Sequence, residues 1–235
     1  MTNDRIRMSA ILLASVMAFA GPIDAMAAAK PGGGAVVVAQ NARDISAERG
    51  LSSFDQRHKF TGSWIYELPF GDGKKYVQTG PWAHVIGGWL WSGDWTFATG
   101  TPLSPRIVGS FSEVNSGTSG TLRPNLVAGE PITVANPDIH EWFNTAAFAA
   151  PPVGEFGDAG RNSIPGPGQI LFDMSVSKTI QFRETRTLEF RLTGNNEFNH
   201  VNFAAVDTNL NSPTFGQVTS AATMRRVTFT TRFRF

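Results

Sequence analysis

The chain ends in R-R-V-T-F-T-T-R-F-R-F, residues 225–235, and this stretch decides the predicted fold. Alternate side chains of an extended strand point to opposite faces. One face of this strand therefore carries Val227, Phe229, Thr231, Phe233 and Phe235, and the other carries threonine and arginine. Strands of outer-membrane β-barrels alternate in this way, with apolar residues toward lipid and polar residues toward the lumen. The terminal strand thus predicts a bacterial outer-membrane barrel.

Four further segments alternate in the same manner, at residues 58–69, 85–99, 169–178 and 187–198. Their lengths of roughly 10 to 15 residues suit a tilted crossing of a bilayer. The aromatic residues expected to face lipid are Trp64, Trp89, Trp91, Trp95, Phe172, Phe190, Phe229 and Phe233. We expect no charged residue on the lipid side, because a Lys or Arg near the membrane middle costs about 2–4 kcal/mol.

The connections between these segments alternate between short and long. Residues 70–80 and 179–186 form the short connections, whereas Gly100–Pro167 and Asn199–Met224 are long and rich in Gly, Pro, Ser and Asn. Long loops without secondary structure are uncommon in compact soluble domains. Outer-membrane barrels carry long loops outside the cell and short turns at the periplasm. The chain is therefore predicted to be an all-β, antiparallel transmembrane β-barrel segment of about five or six strands, a partial barrel with long external loops.

Composition and the N-terminus agree with a cell-envelope location. Only 17% of residues are charged, below the usual quarter of soluble domains, and the net charge of +1 gives no reason to expect nucleic acid as a partner. The absence of cysteine excludes disulfides and thiolate metal sites. A basic start, an apolar run and the small-residue site Ala25–Ala27 suggest that residues 1–27 are a signal peptide or a start foreign to the rest. Residues 28–57 are then a linker, and 58–235 the barrel region.

Polar residues give little reason to expect catalysis, a metal or a cofactor. His140 and Glu141 are adjacent, but neither they nor the remaining histidines have a second ligand at the spacing of a metal site. Four charged residues could meet inside a barrel, where we expect ion pairs that line the lumen rather than an active site: Asp94, Asp173, Glu189 and Arg191. The protein is therefore expected not to be an enzyme. In the long loop, Trp142, Phe143 and Phe148 could contact a ligand, although packing against the barrel rim is the simpler role.

A series of short motifs runs through the chain from about Gly33 to Phe235. They are Glu48–His58, Tyr66–Gly71, Ser92-Gly93, Thr99–Pro102, Arg123–Asn125, Trp142–Phe148, Gly157–Asn162, Gly166–Gly168, Phe198–His200, Asn202-Phe203 and Asn211–Gly216. Individually weak, in this order and spacing they resemble the barrel of Oar-like TonB-dependent outer-membrane receptors, many of which carry an N-terminal carboxypeptidase-regulatory-like domain. One departure is the run Leu192–Phe198, which is less aromatic than expected and would place Asn196 on the apolar face.

The resemblance implies a barrel of about 22 strands with a plugged lumen. It also implies uptake of an unknown ligand, with Phe235 as the signal for the barrel-assembly machinery. TonB would be a partner only if the missing plug is supplied elsewhere, so this chain is expected to be a truncated piece. Two alternatives remain open: a standalone small barrel or passive pore, and a secreted carbohydrate-binding β-sandwich.

Overall fold

The computed structural model describes residues 39–41, 43–108, 122–183 and 186–235, and its largest element is a five-stranded antiparallel sheet. The strands are β1 Lys59–Glu67, β2 Trp89–Ala98, β3 Asn125–Leu126, β4 Phe148–Ala149, β5 Gln169–Arg183, β6 Arg186–Asn195, β7 Phe203–Val206, β8 Val218–Ala221 and β9 Arg226–Arg234. Helical structure is limited to α1 Pro81–Ile86 and the 3-10 turns Ser46–Glu48 and Thr145–Ala147 in these residues. The predicted all-β, antiparallel fold class is confirmed.

The five long strands follow one another as β1-β2-β5-β6-β9, each antiparallel to its neighbour. One row of direct partners crosses the whole sheet: Tyr66, Trp91, Val176, Leu192 and Phe229. Because direct partners share a face, this register brings the apolar sets of all five strands to one side. In the described residues, β1 and β9 are the edges of the sheet and do not pair with each other.

Two tryptophans of the apolar face lie across glycines of the neighbouring strand. A Cβ on Gly62 would come within 2.5 Å of the Trp95 ring, and one on Gly93 within 2.4 Å of the Trp64 ring. The glycines leave room for the indoles to lie flat against the sheet, and the Trp64 and Trp91 rings then meet edge to face at 6.0 Å. Glycine in these strands is therefore a packing requirement.

Three strand ends differ from the prediction by three residues or more. β2 begins at Trp89, because residues 81–86 form α1 and Gly88 turns the chain with a φ of +71°. β5 continues five residues past the predicted end to Arg183. β6 ends at Asn195, since Asn196 adopts a φ of +50° and its side chain exchanges hydrogen bonds with the backbone of His200. Asn196 is thus a buried turn residue.

The extension of β5 also corrects the expectation about charge. Lys178 has Trp89 and Phe190 as its direct partners, so it lies on the apolar face. Arg186, exposed at the first position of β6, falls on the same side by alternation with Leu188. The expectation that the apolar side carries no charged residue is therefore wrong at these two positions.

The long loops are not structureless. In the parts that the structure describes, residues 99–108, 122–168 and 196–225 fold together into what we call the loop cap, which contains β3–β4 and β7–β8 as two small sheets. Its core consists of Leu103, Phe143, Ala147, Phe148, Ala159, Ile164 and Val206. The Phe143 ring packs edge to face against Phe148 at 5.7 Å and Phe215 at 5.2 Å. The cap is therefore packed like a small soluble domain at one end of the sheet.

Residues 40–48 are attached to the loop cap through a buried ion pair. Arg123 Nη1 lies 2.9 Å from both carboxylate oxygens of Glu48, and the two side chains are only 3% and 9% exposed. Arg123 Nη2 donates to the carbonyl of Ala47, and the Gln40 amide bridges Arg123 N and the Gly157 carbonyl. Because a buried charge is stable only with its partner, this contact fixes the N-terminal segment against the cap.

Candidate binding site at the external rim

The polar face of the sheet carries two separate groups of charge. Asp94 lies opposite Asp173 near the loop-cap end. Toward the other end, Glu189 accepts hydrogen bonds from Arg191 at 2.8 and 3.1 Å, with Arg232 and Arg234 at 3.9 and 4.0 Å. Register places the two groups roughly 13–20 Å apart along the strands. The four charged residues predicted to line the lumen thus share a face without forming one cluster.

A groove of about 750 Å³ lies where the strands meet the loop cap. We call it the rim groove. The N-terminal segment, the end of β2, the start of β5 and both long loops contribute to it, through residues that include Leu51, Asp55, Arg57, Thr99, Trp142, Ser163, Pro165, Gln169, Ile170, His200, Val201 and Phe203. Its volume lies within the range of roughly 300–1,000 Å³ that is usual for small-molecule sites.

Trp142 is the best-positioned aromatic residue of the rim groove. Its indole nitrogen donates to the Pro165 carbonyl at 2.9 Å, and its ring meets Phe203 edge to face at 5.7 Å. The Trp142 backbone N–H donates to the Gly216 carbonyl at 2.8 Å. A tryptophan fixed at its polar end presents a rigid apolar surface at little entropic cost. Trp142 can therefore stack against a planar or ring-shaped ligand.

Polar groups of the rim groove could fix the orientation of a ligand. Arg57 is 72% exposed and its Nε lies 4.0 Å from Asp55, so the guanidinium retains free donors. His200 and Gln169 are exposed at the same groove. The Ser163 hydroxyl is buried without a hydrogen-bond partner among the described residues. The groove thus combines an apolar lining with a few donors and acceptors, as ligand sites do.

The second long loop is held in place by Asp207, which directly follows β7. Its carboxylate accepts from the Asn209 N–H at 2.9 Å and from the Thr214 hydroxyl at 2.7 Å. Burial, the largest single influence, raises the pKa of this carboxyl. Hydrogen bonds involving Ser212, Asn209 and Thr214, together with the charge of Arg106, outweigh burial and lower the pKa below its usual value. Phe203, at the start of β7, is positioned by this loop.

The three aromatic residues predicted to contact a ligand have different surroundings. Phe143 is fully buried and Phe148 is 6% exposed, both in the core of the loop cap. Trp142 lines the rim groove. Ligand contact stays a prediction, and it now rests on Trp142 rather than on the two phenylalanines. Sequence reasoning missed Phe203, whose Asn-Phe motif gives no sign that it lies beside Trp142.

The eight aromatic residues predicted to face lipid share the apolar face of the sheet. Trp95 is the direct partner of Phe172, and Phe190 stacks with Phe229 at 6.2 Å. Trp91 is 42% exposed and Phe229 is 66% exposed. Phe235 is 92% exposed beyond the end of β9. Their contact with lipid and the role of Phe235 in assembly stay predictions.

Neither a metal centre nor a membrane-spanning helix is found in the described residues. No group of three or more potential ligand side chains comes together there. None of the helices there is long and apolar enough to cross a membrane. The predicted signal peptide, residues 1–27, lies outside the described residues.

Comparison with known families identifies the sheet. The family described as outer membrane beta barrel domain matches residues 18–228, which is most of the chain. The chain belongs to this outer-membrane β-barrel family. The protein is accordingly located in the bacterial outer membrane, and its partners include membrane lipid. No curated protein and no solved structure matches it.

Membership of the family overturns the alternative of a secreted β-sandwich. In a sandwich a second sheet covers the apolar face of the first. Here the two small sheets of the described residues belong to the loop cap, and Phe229 and Phe233 of the large sheet stay more than half exposed. The apolar face is therefore that of a barrel wall, and from here on we call the five-stranded sheet the wall.

Several motifs quoted from the sequence prove to join the loop cap to the segments beside it. Glu48 and Arg123 come from two of them and form the buried ion pair. Asn162 donates to the Leu51 carbonyl at 2.6 Å and accepts from Ser104 at 2.7 Å. The Asn202 side chain exchanges hydrogen bonds with the backbone of Ile170. These motifs therefore record how the cap is attached to the N-terminal segment and to β5.

Proposed function

We propose that this chain forms part of the barrel of a TonB-dependent outer-membrane receptor, with a non-enzymatic role in binding and taking up a solute. The observation that carries the proposal is the loop cap: the long loops share one hydrophobic core and frame the rim groove at the ends of β2 and β5. A bare pore has no need of a packed, rigid groove at its mouth. A receptor that must capture a scarce solute gains affinity from such a preformed site.

The direction of the strands supports a wall that other strands complete. β1 and β9 both run from the loop-cap end toward the short turns, because an odd number of strands, β2, β5 and β6, lies between them and each strand is antiparallel to its neighbours. A closed antiparallel barrel that contains this sheet then needs an odd number of strands between β9 and β1. About 17 further strands, the complement in a 22-stranded receptor, satisfy this condition.

Resemblance supplies the remaining parts of the proposal. A receptor of this kind carries a plug domain that couples uptake to TonB. TonB would therefore act on this protein only if another segment or chain provides the plug. Phe235, exposed at the periplasmic end of β9, would serve as the signal that the barrel-assembly machinery reads. The substrate would enter from outside through the rim groove.

Uptake in living cells tests the proposal. The gene is deleted in its host and restored as wild type, Trp142→Ala or Phe54→Ala, and uptake of three labelled probes is measured: a ferric siderophore, a maltooligosaccharide and an oligopeptide. Phe54 is the matched control, because it is 87% exposed and outside the rim groove. We expect uptake of one probe to require the gene and to stop when a protonophore is added. Trp142→Ala should lower that uptake about tenfold or more by weakening capture, whereas Phe54→Ala should not change it.

Other outcomes separate the alternatives. A passive pore predicts uptake that depends on the gene, does not saturate and is insensitive to the protonophore. Equal uptake of all three probes with and without the gene would overturn a transport role for this protein.

A further inference from the structure

Two charged residues of the described strands fall on the apolar side by alternation: Arg186, exposed at the first position of β6, and, well inside the sheet, Lys178. Its direct partners on the same face are Trp89 and Phe190. An unpaired Lys on a lipid-facing wall is unfavourable, less so near the membrane boundary than at its middle. The side chain nevertheless is only 8% exposed. Something other than lipid must therefore cover the ammonium group and accept its hydrogen bonds.

The turn between β1 and β2 supplies that cover. Lys178 Nζ donates to the carbonyls of His84 and Val85, each at 2.5 Å, and lies 5.4 Å from the centre of the Trp89 ring. The carbonyls belong to the last turn of α1, the end of a helix that favours a cation. The Trp89 indole nitrogen donates to the Val85 carbonyl as well, at 3.1 Å. Lys178 and Trp89 together hold the C-terminus of α1 against the apolar face of the wall.

Helix α1 carries apolar side chains that no other part of the described chain covers. Ala83 is buried, whereas Trp82 is 68% exposed and Val85 is 56% exposed. Three residues apart, Trp82 and Val85 lie on the same side of the helix. The helix precedes β2 at the end of the sheet where the short turns lie, which is the periplasmic end of a barrel.

We propose that α1 is an interfacial anchor, in which Trp82 and Val85 insert into the periplasmic leaflet of the outer membrane while Lys178 fastens the helix to the wall. The occupant is phospholipid because the helix end rests on the apolar face, and lipid surrounds this face in an outer-membrane barrel. Trp82 and Val85 continue that apolar surface outward. Tryptophan is also the residue that prefers the membrane–water boundary. Lys75 and Tyr76, at the other end of the turn, add side chains typical of this boundary.

Fluorescence quenching by lipid tests the proposal directly. The chain has no cysteine, so single variants Trp82→Cys, Val153→Cys and Phe229→Cys can each be labelled with one environment-sensitive dye. The labelled chain is studied together with the strands that complete its barrel, in phosphatidylcholine–phosphatidylglycerol vesicles. Val153 is the aqueous control, 81% exposed in the loop cap, and Phe229 is the control for the wall. We expect brominated lipid to quench the dye at positions 82 and 229 but not at 153. Aqueous iodide should quench position 82 about fivefold less than position 153, since the anchor excludes water.

Two results would overturn the lipid anchor. Quenching at position 82 by iodide as strong as at 153, without an effect of brominated lipid, would place α1 in water. Shielding from iodide that appears only at high protein density, again without an effect of brominated lipid, would assign the surface to a second copy of the chain.

Lys178→Met isolates the fastening role. Methionine keeps the apolar stem but cannot donate to the two carbonyls, so we expect iodide quenching at position 82 to rise about twofold or more while lipid quenching at 229 is unchanged. Lys178→Arg retains donors and should behave more nearly as the wild type. If Lys178→Met leaves iodide quenching at position 82 unchanged, or changes quenching at position 229 equally, Lys178 does not specifically hold α1 against the wall.

Discussion

The loop cap buries its apolar side chains in its own interior, whereas the wall presents its apolar side chains on its surface. In the cap, Phe143 and Ile164 are fully buried, as in a soluble protein. On the wall, Phe229 and Phe233 are more than half exposed, while Ser177, on the polar side, is 6% exposed. Both regions are rich in aromatic residues, and both order them edge to face or stacked. Aromatic residues are therefore common to both regions, and the regions differ in whether protein covers them.

A pattern of apolar residues in the sequence therefore locates a protein core only when it is known whether water or lipid surrounds that region. The cap must exclude water to stabilise itself, so its apolar residues converge. The wall of an outer-membrane barrel is packed from outside by acyl chains, so apolar residues there diverge and polar ones turn toward an aqueous lumen. The experiments below ask whether the two regions respond to mutation as these two solvents require.

Phe143→Ala should have the largest effect, and it should be confined to the cap. Removing a fully buried ring from an aqueous protein core costs about 3–5 kcal/mol, because a cavity is left in addition to the lost transfer free energy. We expect much faster amide hydrogen exchange across residues 122–168 and 196–225, with unchanged protection in the five wall strands. Phe54→Ala, which removes an 87% exposed ring, should leave exchange unaltered.

The same change on the wall should cost less. Phe229→Ala loses the transfer free energy, about 2 kcal/mol, but lipid fills the space and leaves no cavity. Urea-induced unfolding in vesicles measures this variant. If Phe229→Ala destabilises the wall as strongly as Phe143→Ala destabilises the cap, Phe229 packs against protein and the contrast between the regions fails.

The wall could be predicted from sequence because the alternation of apolar and polar residues is visible within each short segment. Alternation with a period of two, together with long and short connections, placed five strands and the apolar face without knowledge of any distant contact. The pairing of Trp64 with Gly93 and of Trp95 with Gly62 is consistent with that alternation, although the aromatic-over-glycine contact itself needs the register.

The loop cap could not be predicted because its stability depends on contacts far apart in sequence. Arg123 meets Glu48 across 75 positions, and Asn162 meets Leu51 across 111. No short window shows these pairs, and the Gly- and Pro-rich loops lack periodicity. Helix α1 was not predicted for a different reason, because six residues are too few to show a helical repeat in the sequence. Lys178 was missed because the predicted strand ended at the lysine itself.

Phe229→Arg tests the solvent on the apolar side, with an expected effect between those of Phe143→Ala and Phe229→Ala. An arginine that faces lipid costs about 2–4 kcal/mol near the membrane middle and less toward its boundaries. We expect a loss in this range in urea-induced unfolding from vesicles. Thr228→Arg is the matched control on the same strand, since Thr228 is opposite Thr193 on the polar side and its arginine would face water. Equal losses for both variants would contradict the assignment of the two faces.

Acid should loosen the second long loop of the cap, with the smallest effect of the series. The pKa of Asp207 is lowered in the folded state from an ordinary value of 3.8, by its hydrogen bonds and despite burial. A lowered pKa means that the carboxylate contributes its full stabilisation above about pH 4 and loses it as the pH falls through the folded value. Amide exchange of residues 203–221, corrected for its intrinsic pH dependence, should therefore accelerate below pH 4.

Asp207→Asn separates this carboxylate from the other acids of the cap. The amide cannot titrate, so the variant should be somewhat less stable at pH 7 and its exchange at residues 203–221 should depend less on acid than in the wild type. Asp138 is a second acid of the cap with a lowered pKa, owing to the backbone N–H groups of Glu141 and His140, and it leaves a residual acid dependence in the variant. Asp72→Asn, in the turn before α1, should change neither. An acid response that is undiminished in Asp207→Asn would show that the cap is held on this side by groups other than the Asp207 carboxylate.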